Sequence, residues 1–297
     1  MKEFNNRKVA NQFAEYITGQ ELRKYVAEKV KKYVGDNPTV FDGACGSGQL
    51  EQFVNPQKLV GVEIQEQACE VCRENYKDSD IHCMSFFNYD EDVTCDCVIM
   101  NPPFSLKLKE RDEEEIAKIQ AEFPWKKSGV VDDIFVLKSL KYAKRFGFYI
   151  LFPGVGYRKT EKKFREIIGY NLKEFNVIKN AFEDTQIDVI FIVVDKEKND
   201  SKVLREIYDC KVSETLVNDE YEIEELGGNW QQPIIEKEVE RVEPVKLELE
   251  IRELVVQNLD TSFWKSRFLS DLDSSLPPFQ DFVADVKKVV EKYERMM

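Results

Sequence analysis

Two hydrophobic periods alternate along most of this chain, and that alternation constrains the fold more than any other feature. Short apolar runs at Thr39–Asp42, Leu59–Glu63, Ile81–Met84, Asp96–Met100, Phe148–Phe152, Phe175–Ile178 and Val189–Val194 have strand length. Between them Gln20–Val34, Gln65–Tyr76, Asp132–Arg145 and Lys162–Gly169 carry apolar residues at helical spacing. The runs are continuously apolar rather than alternating, as expected of strands covered on both faces, so the pattern predicts a parallel sheet with crossover helices. The expectation is an open, Rossmann-like α/β sheet of seven strands with helices on both faces.

Such sheets bind ligands at the carboxyl ends of their strands, and the residues placed there carry the chemistry. Asn101-Pro102-Pro103-Phe104 follows the run Cys97-Val98-Ile99-Met100 and sets a carboxamide, two rigid rings and an aromatic side chain at one strand end. A flat aromatic ring beside amide and carbonyl acceptors suits a planar base bearing an exocyclic amino group. Upstream, Asp42-Gly43-Ala44-Cys45-Gly46-Ser47-Gly48 follows another strand and precedes a helical pattern, and Glu63 ends the next strand. Glycines are needed where backbone turns sharply against a ligand. Their spacing is G-x-x-G-x-G rather than G-x-G-x-x-G, which disfavours a nicotinamide dinucleotide.

Taken together, these motifs resemble the amino-methyltransferases that use S-adenosylmethionine (SAM), in particular the DNA adenine-N6 methyltransferases, over about residues 8–197. The resemblance implies a seven-stranded sheet with an antiparallel last strand. It implies that Asp42, Gly43, Cys45, Gly46 and Gly48 surround the amino-acid end of SAM and that Glu63 accepts from the ribose hydroxyls. Ser85 stands where the family usually has an aspartate against the cofactor's adenine. The segment Phe13–Gly19 is similar to the family's aromatic-x-Thr-Pro stretch, with Gly19 in the place of the proline. Thr18 would then contact the SAM carboxylate, or cap the helix beginning near Gln20, or both.

For catalysis the resemblance implies that the target base leaves the duplex stack. Phe104 would stack on it, while the Asn101 side-chain oxygen and the Pro102 carbonyl accept its two amino hydrogens; Asn101 also borders the cofactor. Rate enhancement would come from positioning and electrostatics. The late stretches 164–168, 175–178 and 184–193, and the order of glycine loop before catalytic tetrapeptide, are similar to the DNA class. RNA amino-methyltransferases and protein glutamine methyltransferases share the tetrapeptide, the latter usually with Tyr in place of Phe104. A SAM-binding subunit inactive without its partner is the non-enzymatic alternative.

Cations at Lys107, Lys109, Arg111, Lys126 and Lys127, and along Arg158–Arg165, are candidates for phosphate contact or for solvated faces. Cys69, Cys72, Cys95 and Cys97 read as apolar packing, and no metal site is expected. Seven cysteines, no signal-like apolar segment and no span-length apolar run predict a soluble cytoplasmic protein with no membrane partner.

A net charge of −13 argues against holding nucleic acid by bulk attraction. The charge is uneven. Residues 198–297 have 14 Lys and Arg against 23 Asp and Glu, a net of −9, which leaves −4 for residues 1–197. Lys198-Asn199-Asp200-Ser201 reads as a boundary, dividing a catalytic domain (1–197) from a small acidic α/β or helical region (198–297). That region includes a charged stretch broken by Pro244 and an amphipathic helix, Phe279–Arg295. It is short and acidic for target recognition. It could dock a specificity or regulatory subunit, as in restriction-modification methylases, or pack on the catalytic domain.

Overall fold

In the computed structural model, the described residues are 1–2, 18–182, 188–231, 244–272, 275 and 277–295. Residues 13–17 and 184–187, to which parts of the resemblance were traced, lie outside them. The chain forms two compact units, Met1–Gln232 and Pro233–Met297.

The first unit is built on one sheet of nine strands in the order β3-β2-β1-β4-β5-β7-β6-β8-β9. These are β1 (Thr39–Asp42), β2 (Lys58–Glu63), β3 (Ser79–Cys83), β4 (Cys95–Met100), β5 (Ala143–Leu151), β6 (Leu172–Lys179), β7 (Val189–Asp195), β8 (Lys202–Asp209) and β9 (Glu214–Glu222). Strands β1 to β5 pair in parallel, and β7 runs antiparallel between β5 and β6. The seven-stranded expectation therefore holds for the first seven strands, and two more extend it.

Strand order steps outward from β1 to β3 on one side and from β4 to β5 on the other. The chain's direction of winding reverses between β1 and β4, where Val40 lies opposite Cys97. A crevice opens at the carboxyl ends of two strands that diverge in this way. Asp42 and Asn101 follow from β1 and β4, so the topology alone brings the glycine loop beside the Asn-Pro-Pro-Phe turn.

Helices cover both faces. On one, α1 (Gln20–Tyr33) and α2 (Glu66–Asn75) bury Leu22, Val26, Val30, Cys69 and Cys72 against Val40, Leu59 and Ile99. On the other, α3 (Glu113–Glu122), α4 (Asp132–Ser139) and α5 (Lys162–Ile168) bury Ile119, Ile134, Val136, Phe164 and Ile168 against Phe41, Val98 and Tyr149. A buried ion pair also fixes α1, because Lys29 reaches Glu174 of β6 at 2.7 Å and Glu206 of β8 at 2.8 Å.

Three elements differ from the expected pattern. The helix expected over Asp132–Arg145 ends at Ser139, passes through a 3-10 turn at Leu140–Tyr142 and becomes β5 at Ala143. Helix α3 arises from a charged stretch because Asp112 caps it, accepting from the Glu115 N–H at 2.7 Å, and three acidic residues follow in the first turn. Beyond residue 197 the sheet continues: β8 pairs in parallel with β6, β9 closes it antiparallel, and Trp230 is buried against Phe164 and Phe175. The expected boundary thus falls on the short β7–β8 connection, and the first unit ends at Gln232.

In the second unit Pro244, read from the sequence as a break in a charged stretch, begins a helix, α6 (Pro244–Leu272), which is followed by α7 (Phe279–Glu294). Proline is tolerated in a first turn because its missing N–H has no intrahelical partner there. Phe263 meets Phe279 and Phe282 edge to face at 5.9 and 5.3 Å. Along the expected apolar face of α7, Phe282 and Val286 are half-buried, whereas Val289 and Val290 are exposed. No helix among the described residues is long and apolar enough to cross a membrane.

Candidate active site

The principal pocket lies across the carboxyl ends of β3, β2, β1 and β4. Of the residues singled out from the sequence, Thr18, Asp42, Gly43, Cys45, Gly46, Glu63, Ser85, Asn101, Pro102 and Phe104 all line it. Gly48 does not.

The glycine loop is shaped by its own backbone. Gly46 and Gly48 sit at φ +51° and +77°, a region costly for any residue with a side chain. A Cβ on Gly43 would stand 2.7 Å from the Phe86 ring and 2.8 Å from Met100 Cε. Gly48 instead takes the Tyr76 ring against it, and the Tyr76 hydroxyl donates to its carbonyl at 2.7 Å. The expected helix after the loop is absent. Gln49–Val54 forms successive turns, with Gln52 N–H donating to Gln49 O and the N–H groups of Val54 and Asn55 to Glu51 O. Asn55, at φ +50°, ends the run before Pro56. That leaves too few residues to repay helix nucleation.

Acidic side chains hold this loop. Asp42 Oδ1 accepts from the Ala44 N–H at 2.8 Å, and Glu63 accepts from the N–H groups of Gly46 and Gln65 at 3.0 and 2.8 Å. Glu51, not anticipated from the sequence, is fully buried beneath Asp42. Burial raises both carboxyls above their usual range, and the proximity of Glu51 raises Asp42 further.

At the other side of the switch point, Asn101 Nδ2 donates to Thr18 Oγ1 at 3.0 Å. That bond holds the carboxamide beside Thr18. Thr18 does not cap α1; Gly19 occupies the N-cap position, with no side-chain bond. Thr18 is held from behind, its carbonyl accepting from Arg23 Nε at 2.6 Å while Arg23 Nη1 donates to Gln52 at 2.9 Å. Arg23 therefore ties the Thr18–Asn101 pair to the turn after the glycine loop.

Phe104 borders the pocket but is only 4% exposed, packed edge to face with Phe182 at 6.2 Å. The next residue, Ser105, adopts φ +61°, and its N–H donates to both Asp132 oxygens at 3.0 and 3.3 Å. Burial, with Asp133 alongside, pushes Asp132 up to about 7. At the β3 end, Ser85 and Phe86 are joined by Ile64, Phe135 and Arg111, of which only Arg111 had been considered from the sequence.

Two of the cations considered for phosphate contact are structural. Lys126 is 2% exposed and paired with Asp133 at 2.6 Å. Arg165 is buried and donates to the carbonyls of Val155, Arg158, Gly227 and Gly228. Cys69, Cys72, Cys95 and Cys97 are buried in α2 and β4.

The donor set fits SAM. Acidic groups at the glycine loop suit an α-ammonium, a strand-ending glutamate suits ribose hydroxyls, and Ile64, Phe86 and Phe135 offer walls to a purine. Gly43 lets the loop pack against the Phe86 ring and Met100, which a Cβ there would displace.

The sequence profile of the N-6 DNA Methylase family matches residues 1–246. A Clostridium acetobutylicum protein described as an uncharacterized RNA methyltransferase is 26% identical over 170 residues, covering 50% of this chain and 36% of its own length. A Clostridium tetani protein of the same description is 34% identical over 85 residues, covering 25% of this chain and 19% of its own. The chain thus spans about a third or less of these relatives. In fold, it is similar to the type I restriction-modification methyltransferase subunit of Streptococcus thermophilus, with TM-score 0.54, 20% identity, and 67% and 49% of the two chains covered. A structure describing complex assembly in a type I restriction-modification system gives TM-score 0.60 at 13% identity, covering 90% of this chain and 69% of that one.

Proposed function

The chain belongs to the N-6 DNA Methylase family, and on that premise we propose that it transfers a methyl group from SAM to the N6 amino group of adenine in DNA. The Thr18–Asn101 hydrogen bond carries this reading. It holds a carboxamide at the carboxyl end of β4, beside the glycine loop.

Asp42 and the loop Gly43–Gly46 bind the amino-acid end of the cofactor, and Glu63 the ribose. When bound, SAM supplies an electrophilic methyl group on a sulfonium. Asn101 Oδ1 and the Pro102 carbonyl accept the two amino hydrogens of the target base. Those bonds draw the nitrogen lone pair out of conjugation with the ring, which raises its nucleophilicity without removing a proton beforehand. Phe104, turned from Phe182, offers a π-face to the extruded base. Recognition of the target sequence belongs to a partner subunit docking on residues 233–297, where Trp264, Phe268 and Leu272 of α6 are exposed. The setting is the cytoplasm.

A second reading, methylation of RNA, is favoured by the descriptions of the two clostridial relatives. Tritiated methyl transfer to unmethylated DNA and to RNA, by wild type and Asn101→Ala, separates the two. Label in DNA adenine that disappears in the variant, while S-adenosylhomocysteine binding persists, is the expected result. Label in RNA alone would establish the second reading, and undiminished transfer by Asn101→Ala would refute the assigned role.

A further inference from the structure

Arg111 enters the pocket from the loop between Phe104 and α3, and that loop is fixed at both ends. Leu108 N–H donates to the Gly129 carbonyl and Val131 N–H to the Leu106 carbonyl, both at 2.9 Å. Leu108 is buried in one cluster with Phe86 and Phe135. Helix α3, starting two residues beyond Arg111, is tied to the turn after β3 where Lys118 Nζ donates to Asn88 Oδ1 at 2.9 Å. These anchors set Arg111 at the β3 end of the pocket, opposite Ile64, Ser85 and Phe86.

Arg111 is half-buried, and among the described residues its guanidinium lacks the partners that the buried cations described above possess. Arg165 has four carbonyls, Lys126 has Asp133, and Lys29 has Glu174 and Glu206. Arg111 Nε is sealed from solvent with no hydrogen-bond acceptor among the described residues. Nε is closed to a ligand as it is to water, so a ligand's acceptors can meet the guanidinium only at its outer nitrogens, which no protein group among the described residues engages.

The surroundings select the ligand. Walls of Ile64, Phe86 and Phe135 suit a neutral planar heterocycle rather than a hydrated phosphate. The order β3-β2-β1 at the pocket floor sets the glycine loop, Glu63 and Ser85 in line. We propose that Arg111 binds the adenine ring of the cofactor, one guanidinium N–H donating to an in-plane ring nitrogen. Arg111 does the work that Ser85, with one short hydroxyl, cannot do alone. This inference rests on the reading of the pocket as a SAM site.

The test is calorimetry with S-adenosylhomocysteine and with adenosine, in the absence of nucleic acid, on the full chain. Wild type, Arg111→Met and Arg111→Gln are compared, with melting curves to confirm folding. The proposal expects Arg111→Met to weaken both ligands by about tenfold or more, the effect of losing a charge-assisted hydrogen bond, and Arg111→Gln to lose less. Adenosine must be affected as strongly as the full cofactor product, since it retains the purine and lacks the amino acid. Unchanged affinities in both variants, with nucleic-acid binding weakened instead, would make Arg111 a phosphate contact and overturn the proposal alone. Failure of the wild type to bind either ligand would overturn the SAM reading and this inference together.

Discussion

Replacing Asp132 with asparagine isolates a carboxyl that the fold holds at a cost. Asp132 is buried, and its two oxygens accept from the N–H of Ser105, the residue that leaves the Asn-Pro-Pro-Phe turn at positive φ. Its folded value is raised from 3.8 to about 7. A raised carboxyl binds its proton more tightly in the folded state. Its contribution to stability is therefore full below pH 3.8 and lost as pH rises through about 7. Between pH 5 and pH 8 that loss comes to about 2.5 kcal/mol, from RT times the logarithm of the ratio of folded to unfolded binding polynomials. Asparagine keeps an acceptor for Ser105 N–H and has no proton to lose. Urea unfolding should therefore show Asp132→Asn gaining on wild type by about 2.5 kcal/mol as the buffer goes from pH 5 to pH 8. The comparison at each pH cancels the titrating carboxyls that do not interact with Asp132, leaving Asp133 as its coupled neighbour. A difference between the two proteins that stays within about 0.5 kcal/mol across this range would refute the reasoning.

Other residues give sharper or simpler outcomes. Thr18→Val removes the acceptor for Asn101 Nδ2 without changing side-chain volume; kcat should fall about tenfold or more, with Thr18→Ser restoring it and cofactor-product affinity changing less than kcat. Gly43→Ala places a Cβ 2.7 Å from the Phe86 ring, so about 1–3 kcal/mol of stability should be lost along with cofactor affinity, as read by thermal melting and calorimetry. Lys126→Met leaves Asp133 buried without its cation and should cost about 3 kcal/mol at pH 8. Burial raises Asp133 to about 6 even with Lys126 lowering it, so without that cation the carboxyl rises further and takes up a proton as pH falls, and the cost should be smaller at pH 5 than at pH 8. A destabilisation equal at pH 5 and pH 8 would contradict it.

Strand ends were the most legible part of the sequence. Asp42, Glu63 and Asn101 stand where apolar runs stop, and a run that stops marks an edge of the sheet whatever else the chain does. What could not be read was set by distance along the chain. Lys126 and Arg165 look like surface cations because Asp133 and the carbonyls of Gly227 and Gly228 become their partners only after folding. Glu51, among glutamines, looks solvated, yet the turn after Gly48 folds it under Asp42. Phe135 comes to the pocket from a helix, and nothing in its local pattern points there. Strands β8 and β9 were missed because exposed and half-buried positions alternate along β9 and its residues are mostly polar, giving no apolar run to detect.

That added edge has an electrical consequence. Strand β9 carries Glu214, Asp219, Glu220 and Glu222, and it lies five places beyond β4 in the sheet, a lateral separation of about 24 Å. Ions at physiological strength screen charge over about 8 Å, so the pocket is three screening lengths from this acidic rim; in about 0.01 M salt the screening length grows to about 30 Å and encompasses both. Dilute buffer, which ordinarily tightens a protein's hold on a polyanion, here extends the repulsion of the far edge to the mouth of the site.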